Sequence, residues 1–199
     1  PGYKVGEYKG IDVLLAPTHD TASAVYGIDM EDDEPYISSG TWSLLGLKIP
    51  SPLSDKRSEE GNWSNEGGVG YTRYQKNIMG MWLINRLREE MTPSWTFSEI
   101  VEAAEKSDFN EMVDAQSDVF LSPASMKKAF EDELKRENLP PSSLFRCAIL
   151  SLAKSYGKAV RELERNTGRK FKKLYIVGGG ANNVLLNSMT EKETGLEVV

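Results

Sequence analysis

The feature that most constrains the fold is a long helical pattern near the end of the chain. Its apolar residues recur at the spacing of one helix face, namely Phe145, Ile149, Leu152, Tyr156, Val160 and Leu163. The pattern covers residues 142–166, and Gly168 is a natural end for it. A buried-type strand at 174–177, a triple glycine and a second helical pattern at 182–194 follow. A helix with one apolar face needs another layer to cover that face, so this order predicts helices packed on a sheet.

The beginning of the chain has the same strand-to-helix order. The apolar run 11–16 is bounded by Pro17. It leads into a helical pattern that starts in the segment THDTASAV (18–25) and continues to about Gly27. Strand–helix units at both ends, with helical patterns between them, predict an α/β domain with a mixed sheet and flanking helices.

The middle of the chain supplies strands first and helices afterwards. The run 36–47 is typical of two strands that meet at a tight corner formed by Gly40 and Thr41. Residues 50–61 have the composition of a loop, and 71–74 alternates like a strand. Helical patterns are predicted at 77–90, at 97–106 and from the Ser122-Pro123 pair onward.

Composition argues against several classes of function. The chain has 199 residues, 39% of them hydrophobic, which suits one sizeable globular domain or two small ones. Its net charge of -6 disfavours general binding to nucleic acid or anionic membranes, since both require a basic surface. The single cysteine, Cys147, lies among apolar neighbours, which indicates a buried thiol in a reducing compartment. No apolar run is long enough to span a bilayer, so we expect a cytoplasmic protein.

The most informative polar segment is the start of the first helical pattern. It contains His19, the only histidine, followed by Asp20. An aspartate at this point can accept a hydrogen bond from an otherwise unpaired helix N–H, or it can act as a catalytic base. The segment alone leaves both interpretations open.

Two glycine-containing turns are candidates for phosphate contact. Gly178, Gly179 and Gly180 lie between a strand and a helix, where backbone N–H groups and the helix dipole can receive a phosphate. At the other corner, Gly40 permits close approach and the Thr41 hydroxyl can donate to a phosphate oxygen. An ordinary tight turn explains either segment as well, and neither matches the dinucleotide fingerprint or a P-loop.

A third polar segment is NEGG at 65–68. Together with Asn77 it suits either a sugar-sized polar ligand or an ordinary loop. One histidine and one cysteine do not make a zinc site of the usual kind, so no metal ligands are predicted in this chain.

Five strings, in this order, resemble the FGGY family of carbohydrate kinases: THDTASAV (18–25), SSGTWSLLG (38–46), NEGG (65–68), KNIMGMWLI (76–84) and LYIVGGGANNVLLN (174–187). The resemblance implies an actin-like ATPase, ribonuclease-H-like fold, with residues 1–199 forming the truncated C-terminal domain of a two-domain kinase. The chain starts at Pro1 and stops within a strand pattern at 196–199. We therefore expect the N-terminal domain and the extreme C-terminus to be absent, and this piece alone to be inactive.

The resemblance also implies roles for individual residues. Asp20 matches the proton acceptor of the family. The sugar-binding positions are His19, Asp20, Thr21 and Asn77. The ATP-binding positions are Gly40, Thr41, Asn85, Gly178, Gly179, Gly180 and Asn183. Asn85 replaces a glutamine that is usual in the bacterial enzymes and is one methylene shorter, a gap that a water can bridge.

The implied reaction is transfer of the γ-phosphate of ATP to the C1 hydroxyl of L-rhamnulose. Asp20 would accept the hydroxyl proton, and Mg²⁺ would screen the phosphates. The partners implied are ATP, the sugar and the N-terminal domain of the same enzyme. Two alternatives stay open: a kinase for another ketose, such as L-fuculose or L-xylulose, and a non-catalytic actin-like module that binds nucleotide.

Overall fold

The computed structural model of the protein describes residues 2–15 and 19–199. Its strands are β1 (Lys4–Tyr8), β2 (Ile11–Leu14), β3 (Tyr36–Ser39), β4 (Trp42–Ile49), β5 (Trp63–Gly67), β6 (Thr72–Met79), β7 (Lys173–Val177) and β8 (Glu197–Val198). Its α-helices are α1 (Asp20–Gly27), α2 (Lys56–Glu60), α3 (Trp82–Glu89), α4 (Phe97–Lys106), α5 (Met126–Leu134), α6 (Pro141–Thr167) and α7 (Val184–Thr194). Short 3₁₀ helices cover Asp118–Phe120 and Gly179–Asn182.

The main sheet has six strands in the order β5-β6-β4-β3-β7-β8. Its first half is antiparallel, because β4 pairs with β3 and β6 in that sense and β5 pairs with β6 likewise. Its second half is parallel, because β7 pairs with β3 and β8 pairs with β7. β1 and β2 form a separate two-stranded hairpin. The main sheet is therefore mixed, which confirms the prediction.

Different helices cover the two faces of this sheet. Side chains alternate along a strand, so Ser43 and Leu45 point to one face, where they meet the long helix α6. We call this the α6 face. On the opposite face, Tyr36 packs with Val25 of α1 and with Tyr175. We call this the α1 face. The long helical pattern thus provides the main cover of the sheet, as its apolar stripe predicts.

The helices that the sequence predicts most strongly are confirmed. Gly168 and Gly195 are the C-cap residues that terminate α6 and α7, and both have a positive φ, 68° and 72°. Glycine adopts this left-handed conformation without the steric cost that a Cβ brings. α4 has the predicted bounds, and β7 contains the predicted strand 174–177.

The predicted helix over 77–90 is wrong at its start, because Asn77 lies in β6 and α3 begins only at Trp82. β6 pairs with β4 along the whole of β4, up to Met79 opposite Trp42. Pairing with a neighbouring strand overrides the helical spacing of the local sequence here.

Further segments in the middle of the chain differ from the predictions. The predicted loop 50–61 contains α2, which forms because the side chain of Asp55 accepts a hydrogen bond from the N–H of Ser58 at 2.8 Å. The helix predicted from Ser122-Pro123 begins instead at Met126, because Ser125 caps it. β5 was not predicted as a strand, because after Trp63 its residues are small or polar; it pairs with β6 along its whole length.

Among residues 2–15 and 19–199, none of the helices combines the length and the apolarity that crossing a bilayer requires.

Gly46 lies at the centre of the sheet and offers a test of this packing. A Cβ there would lie 2.6 Å from the hydroxyl of Tyr36 and 2.7 Å from the Cβ of Gln75. The same Tyr36 hydroxyl donates to Oε1 of Gln75 at 2.9 Å. We expect Gly46→Ala to lower the free energy of unfolding by about 1–3 kcal/mol, because the added carbon overpacks a buried site. Urea denaturation followed by circular dichroism measures this loss.

Gly67→Ala is the matched control, because Gly67 belongs to the same sheet and a Cβ there meets no atom within 4 Å. Equal losses in the two variants would contradict the packing described for Gly46.

Candidate functional site

The turn between β3 and β4 consists of Gly40 and Thr41, and α3 holds it in place. The N–H groups of Met81 and Trp82 donate to the carbonyls of Gly40 and Thr41 at 2.9 and 3.0 Å. The first N–H groups of a helix have no partners within the helix, so they are free to make these bonds. Both carbonyls of the turn are thereby fixed to one helix.

Gly80 permits this close approach. A Cβ at Gly80 would lie 2.7 Å from the carbonyl oxygen of Gly40 and 2.8 Å from that of Thr41. Real Cβ atoms do not come this close to backbone oxygens. A side chain at this position would therefore push the turn away from α3.

A buried hydrogen bond on the α6 face of the sheet supports the turn. The hydroxyls of Ser43 and Tyr156 lie 2.7 Å apart, on the α6 face. Tyr156 is fully buried, and burial raises the pKa of its hydroxyl, which therefore stays protonated at neutral pH. The pair connects the start of strand β4 to the middle of α6.

The triple glycine forms a second turn against the same strand end. Gly178 has a φ of 91°, and a Cβ there would lie 2.6 Å from the carbonyl oxygen of Ser39. At Gly180 a Cβ would lie 2.0 Å from the Ser39 hydroxyl oxygen. Glycine is thus required at both positions for the two turns to pack together.

A cavity of about 660 Å³ opens between these two turns and the helices α3, α4 and α7. Six of the seven predicted ATP-binding residues line it: Gly40, Thr41, Asn85, Gly179, Gly180 and Asn183. The remaining one, Gly178, does not line the cavity, and its positive φ forms the second turn. The ATP-binding roles themselves stay predictions, although the structure brings these residues together.

The apolar wall of the cavity was not predicted. It contains Phe97, Ile100 and Val101 of α4, together with Met81 and Val184. In the sequence, α4 is only an amphipathic helix, and nothing marks one edge of it as part of a site. Its start is fixed locally, because Thr96 and Glu99 form a reciprocal capping box.

Asp20 is the first residue of α1 and not its cap. The cap position belongs to His19, whose side chain makes no capping bond. Oδ1 of Asp20 accepts the N–H of Thr21 at 2.6 Å and lies 3.3 Å from Nδ1 of His19. The Asp20 side chain is 95% exposed. Thr18, with which the predicted segment begins, lies outside the described residues, as do Ala16 and Pro17.

The predicted sugar-binding residues differ in their solvent exposure. Asn77 is exposed, whereas Thr21 is only 5% exposed. His19 is exposed beside Asp20. The sugar-binding roles of all these residues stay predictions.

The first two side chains of the NEGG segment have partners within the chain. The side chain of Asn65 both accepts from the N–H and donates to the carbonyl of Leu53, each at 2.9 Å. Glu66 pairs with the buried Arg73 at 3.0 Å. These partners favour the structural interpretation of the segment over the ligand-binding one.

Cys147 is buried, as predicted. Burial raises the pKa of its thiol to about 11, so the reactive thiolate is not formed at neutral pH. In the part of the chain that the structure describes, no group of three or more His, Cys, Asp or Glu residues is arranged to hold a metal ion.

Comparison with known sequences identifies related proteins. The family model for the FGGY family of carbohydrate kinases, C-terminal domain, matches residues 35–199. A rhamnulokinase from Oceanobacillus iheyensis is 36% identical over 200 residues, covering 97% of this chain and 43% of the relative. A rhamnulokinase from Bacillus subtilis is 35% identical over 193 residues, covering 94% and 40%. The chain thus spans about two fifths of the length of these relatives.

Solved structures share the fold. A ligand-bound xylulose kinase from Lactobacillus acidophilus superposes with a TM-score of 0.69 at 12% identity, covering 96% of this chain and 40% of that one. A glycerol kinase from Plasmodium falciparum with ADP gives 0.64 at 16% identity, covering 95% and 39%. Identities this low compare folds alone. The predicted actin-like, ribonuclease-H-like fold is confirmed.

The Ser43–Tyr156 bond beneath the turn can be tested by its contribution to stability. We expect Tyr156→Phe to lower the free energy of unfolding by about 1–3 kcal/mol, because it leaves the buried Ser43 hydroxyl without its partner. The double variant Ser43→Ala/Tyr156→Phe is the matched control, since it removes both hydroxyls. Urea denaturation of the two single variants and the double variant measures the coupling. Strictly additive losses would show that the two hydroxyls do not interact.

Proposed function

The chain belongs to the FGGY family of carbohydrate kinases, and we propose that the protein containing it transfers the γ-phosphate of ATP to the C1 hydroxyl of L-rhamnulose. The observation that carries the proposal is the cavity in which two glycine turns meet beside an apolar wall. A nucleoside triphosphate needs both, since its base is flat and apolar and its phosphates are anionic. Rhamnulokinases are the relatives that support this choice of sugar. We place the reaction in rhamnose catabolism in the cytoplasm.

The nucleotide would lie along the cavity. Phe97, Ile100 and Val101 offer apolar area to the base. The start of α7 and the Gly179–Gly180 backbone offer N–H groups and the positive end of a helix to the phosphates. The exposed Thr41 offers a hydroxyl donor at the opposite turn. Asn85 lines the same cavity and is positioned to contact the nucleotide, directly or through a water.

Asp20 would be the proton acceptor. Its carboxylate is exposed and is oriented through the Thr21 N–H, so a sugar hydroxyl can reach it. In a loose phosphoryl-transfer transition state, the main tasks of the protein are alignment and removal of the hydroxyl proton. His19 and Asn77 would bind the remaining sugar hydroxyls, with Thr21 beside them.

Mg²⁺ would reach the site bound to the phosphates of ATP. The described residues of this chain hold no cluster that binds a divalent cation by itself, so no step of the reaction is assigned to a metal ligand here. The ion supplies charge neutralisation at the phosphates.

Replacement of the proposed base tests the mechanism. In the full-length protein, we expect Asp20→Asn to lower kcat by about 10²- to 10⁴-fold, because the amide cannot accept the hydroxyl proton. We expect the KM for ATP to stay nearly unchanged, because Asp20 does not line the cavity. Steady-state kinetics with L-rhamnulose and ATP measures both constants.

Asp33→Asn is the matched control, since Asp33 is an exposed aspartate in the loop after α1. A panel with L-fuculose and L-xylulose distinguishes the neighbouring ketose kinases. Unchanged turnover in Asp20→Asn would show that Asp20 is not the proton acceptor. Nucleotide binding without turnover of any ketose by the unaltered protein would support a non-catalytic nucleotide-binding module instead.

The isolated chain provides a second test. We expect it to bind ATP weakly and to phosphorylate L-rhamnulose at no measurable rate, because it contains the cavity but only about two fifths of the length of its relatives. Isothermal titration with ATP and a coupled assay for ADP measure the two properties. Fast turnover by the isolated chain would refute the expectation.

The apolar wall can be tested separately. We expect Val101→Glu to weaken ATP binding about tenfold or more, because it replaces apolar area by a further carboxylate in a cavity that Glu102 and Glu105 already line. Val119→Glu, at an exposed position away from the cavity, is its control.

A further inference from the structure

We propose that Trp42 is a substrate-binding residue, an aromatic platform on which the ketose lies beside Asn77 and Asp20. This inference rests on the proposed function and extends it to the acceptor side of the site. Trp42 is the first residue of β4 and directly follows the Gly40–Thr41 turn. Its side chain is 43% exposed, which leaves a large part of an indole ring open to a ligand.

Strand alternation shows which way Trp42 faces. The next residue, Ser43, bonds Tyr156 of α6 and so points to the α6 face. Successive side chains of a strand point to opposite faces. Trp42 therefore lies on the α1 face. Consistent with this, Thr41 lines the nucleotide cavity and Trp42 does not.

Asn77 lies on the same face for the same reason. It stands between Lys76, which pairs with Glu162 of α6 at 2.6 Å, and the buried Ile78. Asn77 is opposite Leu44, one same-face position from Trp42. Residues in this diagonal relation are about 7–8 Å apart, a distance that one sugar ring spans.

Asp20 reaches this face through α1. Val25 of α1 packs against Tyr36 and Tyr175, which belong to the α1 face. The helix that begins with Asp20 is thus packed on the face that carries Trp42 and Asn77. The proposed proton acceptor, an amide and an open indole ring therefore belong to one face of the sheet, and Trp42 directly follows the turn proposed to hold the phosphates.

The chemistry of these groups matches a ketose. A sugar ring has one surface of C–H groups and a rim of hydroxyls. An indole ring binds the C–H surface through apolar contact, and an asparagine amide pairs with hydroxyls as donor and acceptor. Burying the exposed indole area under the sugar also recovers hydrophobic free energy that the open site lacks.

Kinetics of the full-length protein tests the platform. We expect Trp42→Ala to raise the KM for the ketose about tenfold or more, because the apolar contact area is lost. We expect the KM for ATP to stay unchanged, and Trp42→Phe to retain most of the affinity for the sugar. Leu121→Ala is the matched control, because Leu121 is 44% exposed and does not line the cavity.

Tryptophan fluorescence gives a readout that does not depend on turnover. Titration with the ketose in the absence of ATP should change the emission of the unaltered protein, and Trp42→Phe should remove most of that change, leaving what the other tryptophans contribute. Normal emission changes in Trp42→Phe, or an unchanged ketose KM in Trp42→Ala, would overturn the inference. A parallel rise of both KM values with a lower free energy of unfolding would also overturn it, because it would make Trp42 a packing residue.

If the proposed function itself is wrong, the kinetic result differs from all of these outcomes. In that case the unaltered protein phosphorylates no ketose of the panel, whichever residue occupies position 42.

Discussion

The hydrogen bonds from the Met81 and Trp82 amides to the carbonyls of Gly40 and Thr41 are the constraint on which the candidate site depends. They use N–H groups that the start of a helix leaves unpaired. Because both carbonyls are held by α3, the turn has one orientation, and Thr41 faces the cavity. Gly80 makes the arrangement possible, since any side chain there would collide with the same two carbonyls.

The sheet then divides the site into two parts. On the α6 face, the buried Ser43–Tyr156 pair and the apolar core support the turn from below. On the α1 face, the strand ends stay open, and Trp42 and Asn77 are exposed. The division is strict, because a shift of one residue in strand register would move every side chain of that strand to the opposite face of the sheet. Tyr36, which packs over Gly46 and bonds Gln75, helps to fix that register.

Features that depend on near neighbours in the sequence were predictable. The Gly40–Thr41 corner, the ends of α6 and α7 at Gly168 and Gly195, and the bounds of α4 follow from local backbone preferences and from helical spacing. Asn77 was assigned to the wrong element because its strand exists only by pairing with β4. The predicted ATP-binding residues came from family motifs, and six of them meet in one cavity.

The sequence by itself determined the α/β class, the long helix, both glycine turns and the family, because these follow from the spacing of apolar residues and from motifs of neighbouring residues. Only the tertiary structure decided that α4 contributes the apolar wall of the cavity, that Asn65 and Glu66 are scaffold, and that Trp42 shares a face with Asn77. These facts depend on contacts between residues far apart in the chain. Strand pairing and helix packing set such contacts, and no local pattern encodes them.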